Sequence, residues 1–347
     1  LHALGAMIAR APTQAATPAA GTKSFVEEAT PRFTICVLPF ANMSGDPEQE
    51  YFSDGITEDV ITDLSKVSAL GIISRNSAFM YKGTHVDIPK VARDLNVSHV
   101  LEGSVRKAGG RVRISAQLVD AETNNHIWAE RYDRDSSDIF ALQDEISEAI
   151  VKALRLRLLP EEKKAIERRG TDNAEAHNLY LMARQTYVNS HDIDPRASEA
   201  IVRLCTRATE IDPEYAQAWT LMAIGHRKLR EAHGGTSDEG MDAAERALEL
   251  DPNLAEAHAI KAQLLLGDGD AEAAATEVAV ALEYDPDSYE VNRSAGRLNY
   301  QLHRLEEATR FYEKAAALMK TDLNSATLLI SCYTALGDAA GSRRAAE

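Results

Sequence analysis

Few residue patterns in this chain of 347 residues could support catalysis or hold a metal. The three cysteines, Cys36, Cys205 and Cys332, lie more than 100 residues apart, so they form neither a CxxC pair nor a disulfide framework. The ten histidines include no HExxH motif, and no nucleophile-elbow, phosphate-binding or dinucleotide-binding glycine motif occurs. We therefore predict no catalytic residue, no metal site and no cofactor in this chain.

Two glycine segments could still indicate chemistry. Gly55 interrupts a helical pattern, which predicts close approach of a ligand or backbone, helix–sheet packing, or a local start of the helix capped by Ser53 or Asp54. Packing is the favoured interpretation. Gly267-Asp268-Gly269-Asp270 resembles the start of a calcium loop but lacks the final glutamate, so we predict a turn between two helices.

The strongest pattern for binding is a set of basic and aromatic residues in the second half of the chain. From Thr171 onward the sequence has 30 acidic and 17 basic residues, yet several arginines and tyrosines share one predicted face. Arginine binds carboxylates through charge-assisted hydrogen bonds, and tyrosine adds rigid contact area. The pattern predicts a protein or peptide partner with acidic groups; the alternative is that the arginines pair with neighbouring glutamates. The predicted peptide-binding residues are Tyr180, Arg184, Tyr187, Thr220, Arg227, Lys228, Arg293, Arg297 and Tyr300.

Helical repeats over residues 172–347 must position these side chains. The phrases IDPEYAQAW, LDPNLAEAH and YDPDSYEVN place Pro213, Pro252 and Pro286 at spacings of 39 and 34 residues, and 34 is the period of tetratricopeptide (TPR) repeats. Small residues recur where two antiparallel helices approach closely. We predict about four repeats plus the first helix of a fifth, with close helix contacts at Ala262, Ala274, Ala281, Gly296, Ala308 and Ala315.

The first half of the chain predicts a different fold. Residues 1–31 are rich in Ala, Thr and Pro and indicate a linker. Residues 32–165 alternate strand and helix signals in the order βαβαβββα, with a tight hairpin at Ala108-Gly109-Gly110. The predicted fold class is thus an α/β mixed-sheet domain followed by an all-α TPR solenoid.

Charge and length limit the partners further. The net charge of −16 lies mainly in the solenoid and repels a phosphate backbone, so we predict no nucleic-acid partner. No run of about 18 apolar residues occurs, so we predict no membrane span in this chain. The chain begins at Leu1 and ends within a helical pattern, which indicates a fragment of a longer parent.

Both modules together resemble a known family. The segments VLPFANMSGDPEQEYFSDGITEDVITDLSKV, IISR and LEGSVRKAGGRVRISAQLVDAETNNHIWAERYD resemble the TolB-amino-terminal-like domain, which often precedes TPR repeats in bacterial signalling proteins. The resemblance implies the C-terminal regulatory part of a class III adenylate or guanylate cyclase, or of a CadC-like winged-helix regulator. It also implies a membrane-anchored parent with this part in the periplasm; a cytoplasmic location is the alternative.

The predicted function is therefore non-catalytic: a sensory or regulatory region that binds a protein or peptide through the TPR groove. One alternative is an α/β domain that senses a small molecule and relays the signal to a fused effector. Another is a structural spacer or dimerisation unit. The sequence predicts neither the partner nor the oligomeric state.

Overall fold

The computed structural model describes residues 33–84, 86–167, 169–190, 194–233, 238–318 and 323–346, so the predicted linker lies outside the described residues. The first part holds six strands and five helices within that range. The strands are β1 (Phe33–Val37), β2 (Ala41–Asn42), β3 (Leu70–Ile72), β4 (His99–Ala108), β5 (Arg111–Asp120) and β6 (Asn125–Asp135). The helices are α1 (Glu50–Ser65), α2 (Arg75–Phe79), α3 (Ile88–Leu95), α4 (Ile139–Ala153) and α5 (Pro160–Glu167).

These strands form one mixed sheet in the order β3-β1-β4-β5-β6, with β2 paired to β4. β1 runs parallel to β3 and β4, whereas β4, β5 and β6 form an antiparallel meander. Ala108 pairs with Arg111, so only two residues connect β4 to β5. Both, Gly109 and Gly110, have positive φ angles of 58° and 80°, as a tight hairpin requires. The predicted mixed sheet is confirmed.

Two separate cores explain why β1 is apolar on both faces. Ile35 and Val37 point toward the core that α1 and α4 cover. Cys36 and Leu38 point to the opposite face and pack with residues of α2 and α3, including Val91. Because side chains alternate along a strand, a strand covered on both sides carries an uninterrupted apolar run.

The second part of the chain is a series of antiparallel helix pairs. Its helices are α6 (Ala174–Asn189), α7 (Pro195–Ile211), α8 (Ala216–His233), α9 (Asp238–Leu250), α10 (Ala255–Asp268), α11 (Ala271–Tyr284), α12 (Tyr289–Gln301), α13 (Leu305–Leu318), α14 (Leu323–Ala335) and α15 (Ala339–Ala346). The all-α TPR-type array is confirmed. All described elements belong to a single compact unit, Pro31–Glu347.

The repeated Asp-Pro phrase closes each turn between repeats. Asp212, Asp251 and Asp285 each accept a hydrogen bond from the backbone N–H two residues later, at 3.0, 3.1 and 3.1 Å. This local bond offers the chain an alternative to continuing the helix. The small residues predicted at helix contacts, such as Ala274 and Ala308, are fully buried between paired helices.

The last repeat corrects the predicted count. Four repeats plus one helix were expected, but α15 follows α14 and packs against it, so the fifth repeat also has its second helix. Its sequence, AAGSRRAA, has no apolar period that would indicate a packed helix. Contact is made instead at Gly341, where a Cβ atom would overlap the ring of Tyr333.

Candidate functional site

The predicted peptide-binding residues form two groups in the structure, and Thr220 belongs to neither. Tyr180 and Arg184 lie on the side of α6 that meets the α/β part, near Glu58 of α1. Thr220 is buried and donates a hydrogen bond to the Ala216 carbonyl oxygen of its own helix. The remaining residues are on the first helices of the repeats: Tyr187, Arg227, Lys228, Arg293, Arg297 and Tyr300.

Several of these side chains meet across the array. The Tyr187 hydroxyl on α6 donates a hydrogen bond to Glu290 on α12, although the two residues are 103 positions apart. Arg297 on α12 donates to Glu231 Oε1 on α8 at 2.6 Å. First helices of different repeats therefore share one charged surface. We call it the inner cluster: Tyr187, Arg227, Lys228, Glu231, Glu290, Arg293 and Arg297.

Cations outnumber carboxylates in the inner cluster. It holds three arginines and one lysine against Glu231 and Glu290, within a part of the chain that is acidic overall. Burial alone would raise the pKa of Glu231, but the neighbouring Arg227 and Arg297 lower that pKa below its usual range. Glu231 is therefore ionised at neutral pH. The arginines do pair with glutamates, as the alternative interpretation predicted, yet two carboxylates leave the cluster net positive.

Arg227 is the most informative member of the inner cluster. Its side chain is buried, with the residue only 2% exposed, and Nη1 donates to Glu231 Oε2 at 2.6 Å. Within the described part of the chain, Nε and Nη2 have no hydrogen-bond partner. These two atoms form one edge of the guanidinium, the edge that a carboxylate can engage with both oxygens. Burying such donors unpaired is unfavourable, so the edge favours an anionic acceptor.

An aromatic contact completes the inner cluster. The Lys228 ammonium lies 4.8 Å from the centre of the Tyr187 ring, and the Arg184 guanidinium carbon lies 5.7 Å from it. Burial raises the pKa of Tyr187 well above its usual value, with Glu290 adding to the rise, so the phenol keeps its proton. Tyr187 thereby serves as hydrogen-bond donor and as a surface for cations.

A second polar surface joins α6 to the α/β part, and the sequence did not predict it. His177 on α6 contacts Asp59 of α1, with Nε2 and Oδ2 3.1 Å apart, and its Nδ1 lies 3.2 Å from the Tyr215 hydroxyl. Gln143 of α4 donates to the same Asp59 oxygen at 2.5 Å. Beside them, Leu181 of α6 belongs to the same hydrophobic core as the sheet.

Gly55 marks the point where α1 and α6 cross. A Cβ atom at this position would overlap the side chain of Leu181, so the glycine permits close packing. Capping by Ser53 or Asp54 is excluded because α1 begins at Glu50. We call this contact between α1 and α6 the junction. The glycine inside a helical pattern was the one sequence signal for it.

The predicted turn between α10 and α11 is confirmed. Gly269 ends α10 with a positive φ of 87°, and Asp270 caps α11 by accepting a hydrogen bond from the Ala273 N–H. Among the described residues, no group of three or more His, Cys, Asp or Glu side chains could hold a metal ion. Within the same ranges, every helix is too short or too polar to cross a membrane.

Asp63, next to the junction on α1, gives a pH-dependent prediction. Burial raises its pKa from 3.8 to about 6, although Lys66 donates a hydrogen bond to it at 2.9 Å and opposes the rise. The folded chain keeps a proton that the unfolded chain releases, so this stabilisation is full below about pH 4 and lost as pH rises through about 6. We expect Asp63→Asn to raise the free energy of unfolding at neutral pH by about 3 kcal/mol, measured by urea denaturation.

The same measurement near pH 4 should show almost no difference between Asp63→Asn and the unaltered chain. Asp133 is a control of opposite sign, because hydrogen bonds from Arg113 and Arg111 lower its pKa. Its replacement by asparagine should therefore reduce stability at neutral pH. An Asp63→Asn effect that is equal at both pH values would contradict the assigned cause.

Comparison with known proteins gives relatives for both parts. Residues 31–149 match a family model described as HilA/YgeH-like transcriptional regulator, second domain. The chain is 46% identical over 230 residues to a protein of Rhizobium meliloti (strain 1021) described as "Putative adenylate cyclase 3". That match covers 65% of this chain and 39% of the relative, so the chain spans well under half the length of this relative.

The solved structures that are similar to this chain include a TolB protein and TPR proteins. TolB from Acinetobacter baumannii is 19% identical, with a TM-score of 0.27, over 35% of this chain and 28% of TolB. TTC0263, a TPR protein of Thermus thermophilus, is 16% identical, with a TM-score of 0.36, over 57% of this chain and 95% of its own. PilF of Pseudomonas aeruginosa is 18% identical, with a TM-score of 0.35, over 50% of this chain and 72% of its own. A TolB protein and TPR proteins, the two kinds that the sequence resembles, thus both occur among the similar structures.

Proposed function

We propose that this chain is a regulatory protein-interaction region of a larger bacterial signalling protein, and that its inner cluster binds an acidic segment of a protein partner. The observation that carries the proposal is the unpartnered Nε–Nη2 edge of the buried Arg227, within the described part of the chain. The similarity to a regulator domain and to a protein described as an adenylate cyclase supports a role beside an effector. In this proposal the chain itself supplies no catalytic group, contacts no nucleic acid and lies on the periplasmic side of a membrane-anchored parent.

Glu231 has the position of an internal competitor for that partner. It holds Arg227 and Arg297 together, each at 2.6 Å. Its side chain is 38% exposed and that of Arg297 is 28% exposed, whereas Arg227 lies beneath them at 3%. A partner carboxylate that displaces Glu231 from Arg297 gains access to Arg227. Arg297 then exchanges one carboxylate for another, and the Nε–Nη2 edge of Arg227 gains the acceptor that it lacks, which keeps the cost of desolvation small.

Binding of an acidic model peptide tests this proposal. Fluorescein-labelled hexaglutamate is titrated with the chain in a polarisation assay at low salt, with labelled hexaglutamine as the uncharged counterpart. Arg227→Gln removes the guanidinium edge and should weaken hexaglutamate binding by roughly 10-fold or more, the usual effect of losing a charge-assisted hydrogen-bond pair. Glu231→Gln removes the competitor and should strengthen binding.

A matched control is available on α9. Arg246 pairs with Glu249 at 2.9 Å on the exposed surface of α9, the second helix of its repeat. Arg246→Gln and Glu249→Gln change net charge as the two test variants do, but should leave hexaglutamate affinity within about 2-fold, as for an exposed ion pair. Equal effects of the α8 and α9 variants would show nonspecific attraction to charge and would rule out the inner cluster as the site.

A further inference from the structure

The junction between the α/β part and the helical array contains an open-sided cavity of about 240 Å³. Residues of α1, α2, the segment after α2, and α6 line it. Phe79, Met80, Leu181 and Val188 supply apolar surface. Sites for drug-sized ligands are commonly about 300–1,000 Å³, so this cavity suits a smaller molecule.

One wall of the cavity carries a buried carboxylate with a free acceptor. Asp54 is 8% exposed, and Lys82 Nζ lies 2.5 Å from its Oδ2. Its other oxygen, Oδ1, is buried and has no hydrogen-bond partner in the described part of the chain. Burial raises the pKa of Asp54 above its usual value, while the hydrogen bond and charge of Lys82 oppose the rise. A donor on a bound molecule would satisfy Oδ1, and a cationic donor would offset the burial.

The α6 wall carries the complementary group. Arg184 Nε lies 3.7 Å from Glu58 Oε2, and Nη2 lies 3.9 Å from Glu256 Oε1. Both distances exceed hydrogen-bond length, and Nε has no hydrogen-bond partner within the described ranges. A guanidinium whose ion contacts are this long retains donors for an acceptor, and a carboxylate is the acceptor it binds best.

We propose that this cavity binds a small zwitterion with an apolar side group, of the size and chemistry of an α-amino acid. Its ammonium donates to Asp54 Oδ1, its carboxylate accepts from Arg184, and its side group lies against Phe79, Leu181 and Val188. Because α1 belongs to the α/β part and α6 to the array, the ligand contacts both parts at once. The site adjoins the inner cluster, because Arg184 also lies 5.7 Å from the centre of the Tyr187 ring, but its occupant need not be a protein.

The experiment uses the full chain and free amino acids. The standard L-amino acids are screened at millimolar concentration by thermal shift, and the one with the largest shift is measured by calorimetry. Two counterparts follow: the same molecule without its ammonium group, and the same molecule without its carboxylate. We expect saturable binding of at least one amino acid, with each counterpart weakened by roughly 10-fold or more.

Two variants locate the binding. Asp54→Asn keeps the shape of the side chain and removes its charge, and should weaken the amino acid by roughly 10-fold. Glu50→Gln is the matched control, because Glu50 is one helical turn earlier on α1 and also contacts Lys82, at 3.1 Å, but does not line the cavity. The Glu50→Gln chain should bind the amino acid with the same affinity as the unaltered chain. Val188→Phe, which fills the cavity without changing charge, should abolish binding while circular dichroism still reports a folded chain.

Any of three results would overturn the proposal. The first is that no amino acid shifts the melting temperature. The second is that Asp54→Asn and Val188→Phe bind as tightly as the unaltered chain. The third is that one counterpart binds as well as the complete amino acid, which would identify a simple cation or anion instead of a zwitterion.

Discussion

Replacing Leu181 by alanine is expected to lower the free energy of unfolding of the whole chain by about 3 kcal/mol, as for other buried leucines. Leu181 belongs to α6, the first helix of the array, but its side chain is 3% exposed and packs in the core of the α/β part. Its loss should therefore destabilise both parts together. Met182, the next residue on α6, is 36% exposed, and Met182→Ala should change stability by less than about 0.5 kcal/mol.

The two tryptophans measure this effect separately in each part. Trp128 lies on β6 and packs against the sheet core, whereas Trp219 lies on α8 and packs within the array. In urea denaturation of Trp219→Phe and Trp128→Phe chains, the remaining tryptophan reports one part. Leu181→Ala should shift both transitions to lower urea concentration. A shift of the urea transition that only Trp219 reports would contradict the shared core.

Gly55 provides an internal check on the same contact. A Cβ atom at Gly55 overlaps Leu181, so Gly55→Ala alone should lose packing that outweighs its gain in helix propensity. In the Leu181→Ala background the overlap is gone, and Gly55→Ala should raise stability by up to about 1 kcal/mol. A double-mutant cycle measures this change of sign. Additive effects would show that the two residues do not touch.

The second large effect is expected at Gly296 of α12. A Cβ atom there would lie 2.8 Å from both Cδ1 and Cε1 of the Tyr312 ring on α13. Tyr312 is fully buried, so its ring has no room to move. Gly296→Ala should therefore force α12 and α13 apart and lower the free energy of unfolding by about 2 kcal/mol, measured by urea denaturation followed at Trp219.

Gly267 of α10 is the matched control for Gly296. Both glycines lie inside helices, but a Cβ at Gly267 would meet the Arg230 guanidinium at 3.5 Å, an ordinary contact. Gly267→Ala should raise stability by up to about 1 kcal/mol, because alanine is the better helix former. Two Gly→Ala changes of opposite sign would separate helix packing from helix propensity. The same sign for both would show that Tyr312 moves freely.

Local features of the fold could be predicted from the sequence because their causes are local. The Asp-Pro phrase and its small residues act within one repeat of about 34 residues, and the two-residue hairpin after Ala108 depends on adjacent glycines. Strand β1 could be placed in the middle of the sheet because its apolar run needs cover on both faces. Each of these patterns contains its own physical reason.

The candidate sites could be predicted only in part. The face that carries Tyr187, Arg227 and Arg293 follows from the repeat pattern, yet the bond from Tyr187 to Glu290 depends on how several repeats stack in sequence. Small rotations per repeat add up over the 103 residues between them, and no short motif encodes them. The junction was missed for a related reason, since Leu181 looks like any other apolar residue of an amphipathic helix.

The continuous core has a consequence for how these modules pass between proteins. Chain segments are usually exchanged at exposed linkers that few contacts cross. Here residues 169–173, which precede α6, contribute nothing to the sheet core, but Leu181, a few residues further on, is inside it. A break within residues 169–173 would leave the surface of α1 around Gly55 bare to water. The shortest segment that can be fused to another protein with the α/β core intact therefore ends after Asn189. Such a fusion includes α6, the first helix of the array.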